Sequence, residues 1–141
     1  MTNYQPHFPY KEIRLEQKQA IEHAIEAFEN QGKRFVIVEA GTGVGKSAVG
    51  LTLAKSIASQ AYFITTQKIL QQQYVDDFSA QGMLSLKSSR NFSCKYYKGK
   101  DCSSALRELK VSKDAKFKAC CGGGCVYKIA KRKFIDNPLG I

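Results

Sequence analysis

The chain has 141 residues, 43% of them hydrophobic, which is the size of one ordinary domain with a modest core. It contains neither a membrane-spanning apolar run of about eighteen residues nor a signal-peptide pattern, so we expect a cytoplasmic protein without membrane contact. The net charge of +10 is uneven: residues 1–80 hold eight basic and eight acidic residues, whereas residues 81–141 hold fourteen and four. The basic part suits a polyanion such as nucleic acid or, equally, a solvated lysine-rich surface.

The first part is predicted to alternate helices with short strands. Apolar residues recur at helical spacing over 14–30, and helices are also predicted over about 47–59 and 68–78. Short apolar runs predict buried strands at 35–38 and 61–65. This order predicts an α/β fold with a parallel sheet. Two strands do not make a stable sheet, so we expect the strands that complete it to lie outside this chain.

The second part has a different composition, rich in Ser, Lys, Gly and Cys, with short helices predicted over about 103–109 and 126–134. It also holds every cysteine of the chain, namely Cys94, Cys102, Cys120, Cys121 and Cys125. A cytosolic protein keeps its thiols reduced, so such a group predicts a metal or iron–sulfur site more than disulfides. A bound metal centre would also organise a segment that has few apolar residues of its own.

A glycine-rich segment between the strand predicted at 35–38 and the helix predicted from Ser47 predicts a phosphate-binding loop. Its residues are Ala40, Gly41, Thr42, Gly43, Val44, Gly45, Lys46 and Ser47. The glycines allow the backbone N–H groups to turn toward phosphate oxygens, and the N-terminus of the following helix adds a positive dipole. Lys46 is predicted to reach the β- and γ-phosphates and Ser47 to bind Mg²⁺, which makes these two the candidate catalytic residues of an ATP site.

Several segments in order resemble the iron–sulfur helicases of superfamily 2, of the XPD/DinG type, including phage-borne relatives that act in the host cytoplasm. Arg14-Leu-Glu-Gln17 resembles the motif whose glutamine reads the adenine edge. Residues 39–47 resemble motif I, and Thr65-Thr-Gln-Lys-Ile-Leu-Gln-Gln-Gln73 resembles motif Ia, which touches the DNA backbone. Residues 86–94 and Cys125-Val-Tyr127 resemble the entry to and exit from the iron–sulfur domain.

This resemblance implies a division of the chain into three parts. Residues 1–85 are the N-terminal part of a RecA-like ATP-binding domain, and residues 86–134 are a small, partly helical [4Fe–4S] domain. Residues 135–141 begin the return to the motor domain. The family's Walker B segment and second lobe are not in this sequence, so we expect a fragment or a truncated reading frame that hydrolyses ATP slowly, if at all, by itself.

The cysteines supply four thiolates for either a tetrahedral zinc ion or a [4Fe–4S] cluster. Zinc ribbons usually present two Cys-x-x-Cys pairs, which this chain lacks, whereas the resemblance implies iron–sulfur. Only one of Cys120 and Cys121 is needed as a ligand, and the sequence leaves that choice open. Around the centre, basic and aromatic residues are candidates for contacts with phosphates and bases, namely Lys95, Tyr96, Tyr97, Lys98, Lys100, Tyr127, Lys128, Lys131, Arg132 and Lys133.

Two functions therefore stay open. The resemblance implies the ATP-binding N-terminal segment of an ATP-dependent DNA helicase with 5′-to-3′ polarity, Mg²⁺, an iron–sulfur cluster, and single-stranded or forked DNA as partner. The alternative is a nucleotide-regulated nucleic-acid-binding module that does not unwind, with zinc on its cysteines. A small P-loop kinase is a third class, and the basic, cysteine-rich segment argues against it.

Overall fold

The structure is a computed structural model, and it describes residues 2–112, 116, 118 and 124–141. The described part is a mixed α/β chain with α1 (Leu15–Glu29), α2 (Lys46–Ile57), α3 (Lys68–Phe78), α4 (Cys102–Ser112) and α5 (Val126–Ile135). Its strands are β1 (Ala61–Tyr62), β2 (Met83–Leu84) and β3 (Leu139–Gly140). Single 3₁₀ turns lie at Gln5–His7, Ser79–Gln81 and Ser89–Asn91. None of the helices in the described ranges is long and apolar enough to cross a membrane.

The three strands form a small parallel sheet in the order β1-β3-β2. Leu139 of the central strand lies opposite Ala61 on one side and Met83 on the other. Two side-chain amides secure the segment that leads into β3: Gln60 donates to the carbonyl of Ile135 at 2.6 Å, and Asn137 donates to that of Gly82 at 2.8 Å. The last residues of the chain therefore lie in the same sheet as residues from the first part.

Helix α2 is central to the fold because it packs on two separate apolar clusters. On one side Ala48 and Val49 join the first cluster, whose other buried members are Tyr4, Phe8, Ile21 and Ile25. On the other side Leu51 joins a second cluster with Phe78, Met83, Leu139 and Ile141. Because side chains two residues apart point to nearly opposite sides of a helix, Val49 and Leu51 face different clusters, and one short helix links α1 to the sheet. This packing fixes the N-terminus of α2, where the glycine-rich segment ends.

The prediction of a buried strand at 35–38 is wrong for this structure. These residues belong to no strand or helix, and the side chains of Phe35 and Ile37 are 84% and 93% exposed. Within the described residues, no backbone hydrogen bond joins 34–40 to the sheet. An apolar run becomes a buried strand only when a neighbouring strand pairs with it, and the strands of this sheet pair elsewhere.

The remaining elements agree more closely with the sequence. Strand β1 covers only the first two residues of the run predicted at 61–65, whereas the helices predicted over 14–30, 47–59 and 68–78 are present within about two residues at each end. The architecture is compatible with a partial RecA-like domain. In the second part, α4 and α5 enclose a third cluster of Cys102, Leu109 and Cys125, flanked by Phe92, Tyr96, Leu106 and Tyr127.

Candidate nucleotide site and cysteine cluster

The glycine-rich loop enters α2 through two residues with left-handed backbone angles. Gly43 has φ +79° and Gly45 has φ +83°, and Gly45 is the N-cap of α2. A side chain at Gly45 would also collide with the amide of Gln17. The first N–H groups of a helix have no partner within the helix, so the loop faces a cluster of donors and the positive end of the dipole.

The side chain of Lys46 folds back over the loop. Its Nζ donates to the carbonyl of Ala40 at 2.9 Å and to that of Gly41 at 2.8 Å. The residue is solvent-exposed, so its ammonium group is accessible to a ligand. Ser47 occupies the first turn of α2 beside it and is half-buried. The two candidate catalytic residues thus lie together at the helix N-terminus, next to the loop backbone.

Arg14 and Gln17 contact the same loop from the start of α1. Arg14 Nη1 donates to the carbonyl of Gly43 at 3.1 Å, and Gln17 Nε2 donates to that of Val44 at 2.9 Å. Gln17 is only 4% exposed, and its Oε1 accepts the backbone N–H of Arg14 at 3.0 Å. Both ends of this amide are therefore used within the protein. The structure places Gln17 against the loop backbone, whereas its reading of adenine stays a prediction.

A cavity of about 460 Å³ adjoins the loop between α1, α2 and residues 38–41. Lys46 lies in its wall, together with Glu16 and Gln19 of α1 and the apolar Val49 and Leu53 of α2. Pockets of this size accommodate small ligands, and an apolar wall with a few polar groups is typical of them. The loop therefore borders a space large enough for part of a nucleotide.

The first two cysteines are brought together by a short closed loop. The N–H of Cys94 donates to the carbonyl of Lys100 at 2.8 Å, and the N–H of Cys102 donates to that of Phe92 at 2.7 Å. Asp101 then starts α4, because its Oδ1 accepts the N–H groups of Ser103 and Ser104 at 2.8 and 3.0 Å. These bonds lower the pKa of Asp101, with the Ser104 hydroxyl the largest contribution.

Cys102 and Cys125 are in contact. Their Sγ atoms lie 4.0 Å apart, and both residues, like Cys94, are buried and not in disulfides. Cys102 is the first residue of α4 and Cys125 is the N-cap of α5, so both sulfurs lie at positive ends of helix dipoles. Burial raises the pKa of the Cys102 thiol, the N–H of Tyr127 lowers it, and the sulfurs of Cys125 and Cys94 raise it further.

The structure does not assemble the complete ligand set that the sequence predicts. Among the described residues, no group of three or more Cys, His, Asp or Glu side chains is arranged to hold a metal ion. Cys120 and Cys121 lie outside the described residues. The structure thus brings one pair of predicted ligands into contact, with Cys94 buried on the preceding loop.

Comparison with known proteins decides the family. The family model described as type III restriction enzyme, res subunit, matches residues 10–121, most of the chain. The chain belongs to the type III restriction enzyme res subunit family. No curated protein and no solved structure shows significant similarity to it.

The res subunit family is a helicase superfamily 2 N-terminal domain, and its match spans both the glycine-rich loop and the first cysteines. At the level of the family, this membership carries ATP and Mg²⁺ use and DNA binding. The family match therefore supports the resemblance to superfamily 2 helicases. The match does not extend to the narrower iron–sulfur type, which stays a prediction.

Within this member of the res subunit family, six of the predicted basic and aromatic residues have different surroundings. Lys100 is paired with Glu108 and lies 5.1 Å from the centroid of the Tyr97 ring. The pairing raises the pKa of Lys100 and lowers that of Glu108. Tyr96 and Tyr127 pack on the cysteine cluster. The lysines Lys128 and Lys131 instead line a groove between α4 and α5.

Two functional features were absent from the sequence-based prediction. Arg107 of α4 lines the same groove as Lys131, but its place in a short polar helix gave no separate signal. The start of α4 was detectable, because Asp is a common helix N-cap residue whose carboxylate accepts the N–H groups two and three residues further on. Recognising Asp101 would have placed Cys102 at the first turn of the helix.

Proposed function

We propose that this chain is the ATP-binding segment of an ATP-dependent DNA helicase of the XPD/DinG iron–sulfur type, with 5′-to-3′ polarity taken from the resemblance. The observation that carries the proposal is the loop at the N-terminus of α2, with Lys46 folded over it and Arg14 and Gln17 bonded to its carbonyls. Family membership supports the helicase class, and the motif order supports the iron–sulfur type.

In this function the residues have distinct roles. The N–H groups of the loop residues Ala40, Gly41, Thr42, Gly43, Val44 and Gly45 surround the β- and γ-phosphates, where Lys46 donates to oxygen and neutralises charge. Ser47 binds Mg²⁺ through its hydroxyl. Arg14 and Gln17 position the loop from α1, and Gln17 reads the adenine edge only after its amide leaves the carbonyl of Val44. ATP binding would thus be coupled to the start of α1.

Calorimetry with MgATP on the Lys46→Ala variant tests the nucleotide site. A charge-assisted hydrogen bond contributes about 1.5 to 3 kcal/mol, so we expect affinity to fall by more than about tenfold. Lys55→Ala is the matched control, because Lys55 lies on the same helix in its last turn. We expect its affinity to stay within about twofold of the wild type. Equal affinity in the Lys46 variant and the wild type would overturn the nucleotide site.

The proposal includes a four-thiolate centre that joins Cys94, Cys102 and Cys125 to one of Cys120 and Cys121. The described donors fit such a centre chemically, because they are buried cysteines outside disulfides, two of them in contact at helix N-termini. When bound, a [4Fe–4S] cluster would fix the basic segment against the motor domain. The protein's part is to supply the thiolates and to exclude water from them.

One observation favours zinc as the alternative. Four sulfurs at about 2.3 Å from a tetrahedral ion lie about 3.8 Å from one another, close to the 4.0 Å between Cys102 and Cys125. The ligands of a [4Fe–4S] cluster bind different iron atoms and must separate further. Elemental analysis of anaerobically purified protein distinguishes the two centres. Iron with brown colour supports the cluster, and one equivalent of zinc without iron supports the non-unwinding module.

A further inference from the structure

A groove of about 400 Å³ runs between α4 and α5 above the cysteine pair. Its floor is formed by Cys102, Cys125 and Leu106. Its rim carries Arg107 on the α4 side and Lys131 on the α5 side. Both basic residues are solvent-exposed, so their charges are accessible from the same side of the molecule.

The lining of the groove has one sign of charge. Among the described residues that line it none is acidic, whereas Arg107, Lys128 and Lys131 are basic. Glu108, the acidic residue next to Arg107, is paired with Lys100 outside the groove. Two hydroxyl groups, those of Ser89 and Ser103, also line it. Cations and hydroxyls around one cavity suit phosphate oxygens, because both kinds of group donate hydrogen bonds to anions.

The groove also offers an aromatic surface. Tyr127 lines it and is held in place by an edge contact with Phe92, with the two ring centroids 5.4 Å apart. Bases stack on aromatic rings only when they are released from a duplex, so a tyrosine beside phosphate donors favours a single strand. The volume is that of a small-ligand pocket, which accommodates about one nucleotide.

From this geometry we propose that a single strand of nucleic acid lies in the α4–α5 groove, with its backbone phosphates on Arg107 and Lys131 and a base against Tyr127. The inference rests on the proposed function, because it gives the nucleic-acid contact of that function a location. It is separate from the nucleotide loop, which binds the triphosphate through other residues. Arg107 thereby gains a role that its position in the sequence did not indicate.

Fluorescence anisotropy of a labelled oligo-dT with the double variant Arg107→Gln and Lys131→Gln tests the inference on the full chain. Each phosphate contact on a single strand contributes about 0.7 to the salt slope, so we expect the slope to fall by about 1.4. At 0.1 M salt this corresponds to about a 25-fold loss of affinity. The same variant should show an undiminished calorimetric affinity for MgATP.

The matched control is the double variant Lys33→Gln and Lys110→Gln. Both lysines are exposed and neither lines the groove, and the control removes the same net charge. We expect a loss of less than about threefold, because long-range charge alone is screened within about 10 Å at this salt. Equal losses in the two double variants would show that net charge, not the groove, binds the strand, and would overturn the proposal.

Two further arms identify the ligand and guard against misfolding. A photocrosslinking oligonucleotide on the unmodified chain should attach to the peptide that contains Tyr127, and attachment elsewhere alone would overturn the location.

Polyglutamate should compete poorly, whereas competition as strong as that of oligo-dT would indicate an acidic-peptide site instead. Duplex binding as tight as single-strand binding would overturn the single-strand assignment. If the wild-type chain did not bind MgATP but the groove variants behaved as expected, the result would contradict the nucleotide site and not the groove.

Discussion

Around the nucleotide loop, helix α2 packs against apolar side chains on two sides, from α1 and from the sheet. Around the cysteines, the corresponding cluster has three buried members among the described residues, and two of them are Cys102 and Cys125. The first part therefore derives its order from burial of apolar surface. We expect the second part to depend more on its cysteines, so that a ligand of the thiols contributes much of its stability.

The largest expected effect is on the proposed cysteine centre. Serine at Cys94, Cys102 or Cys125 should abolish metal binding, whereas serine at Cys120 and at Cys121, tested separately, should differ because one of them suffices. Residues 86–134 should then lose hydrogen-exchange protection while residues 15–57 keep theirs, since the latter are ordered by apolar packing. Mass-spectrometric hydrogen exchange with elemental analysis measures both. Uniform loss of protection along the chain would contradict the expected difference in stability between residues 15–57 and residues 86–134.

The next effect in size concerns Gly45. Alanine at this position must adopt a left-handed backbone angle and collide with the amide of Gln17. We expect a loss of about 1 to 3 kcal/mol in the free energy of unfolding and weaker MgATP binding. Gly32→Ala is the control, since Gly32 also has a positive φ of 61° but no heavy atom near the added methyl group. If both variants lost ATP affinity equally, the contact with Gln17 would be irrelevant to the loop.

A smaller effect is expected from Gln17→Ala, which removes the buried amide that joins α1 to the loop. An orphaned buried hydrogen-bond partner costs about 1 to 3 kcal/mol, so thermal or chemical unfolding should detect the loss. Gln19→Ala is the control, because Gln19 is the same residue type on the same helix but is exposed. We expect that control within about 0.5 kcal/mol of the wild type. Equal stability of the two variants would contradict the positioning role of Gln17.

The elements that could be predicted were those encoded by local pattern. Helices α1, α3 and α5 follow from apolar spacing, and the loop follows from its glycines, Lys46 and Ser47. The strands were predicted poorly, because a strand depends on a partner that is distant in sequence. The run at 35–38 has the composition of a strand but pairs with no strand among the described residues, whereas β2 and β3 are paired although their sequences are not typical of strands.

For the candidate sites, residue types singled out the cysteines and the lysine of the loop, but sequence spacing did not show that Cys102 and Cys125 touch. That contact depends on the meeting of two helix N-termini, which is a tertiary event. Likewise, the resemblance assigned Gln17 to adenine, and only the structure placed its amide on the backbone of the loop.

Strands β2 and β3 are neighbours and run parallel, so the chain between Leu84 and Leu139 is a crossover connection. A parallel pair cannot be joined by a tight turn, and here the connection is the entire cysteine-rich segment. After a protease cut within that segment, the two fragments would therefore stay associated through the sheet and through the backbone hydrogen bonds of Ile141 with Leu84 and Leu86. Closing so long a loop costs little more than closing a short one, because the entropy grows only with the logarithm of length. During evolution, an insert in this crossover connection can therefore be lengthened or exchanged without changing the pairing of the strands.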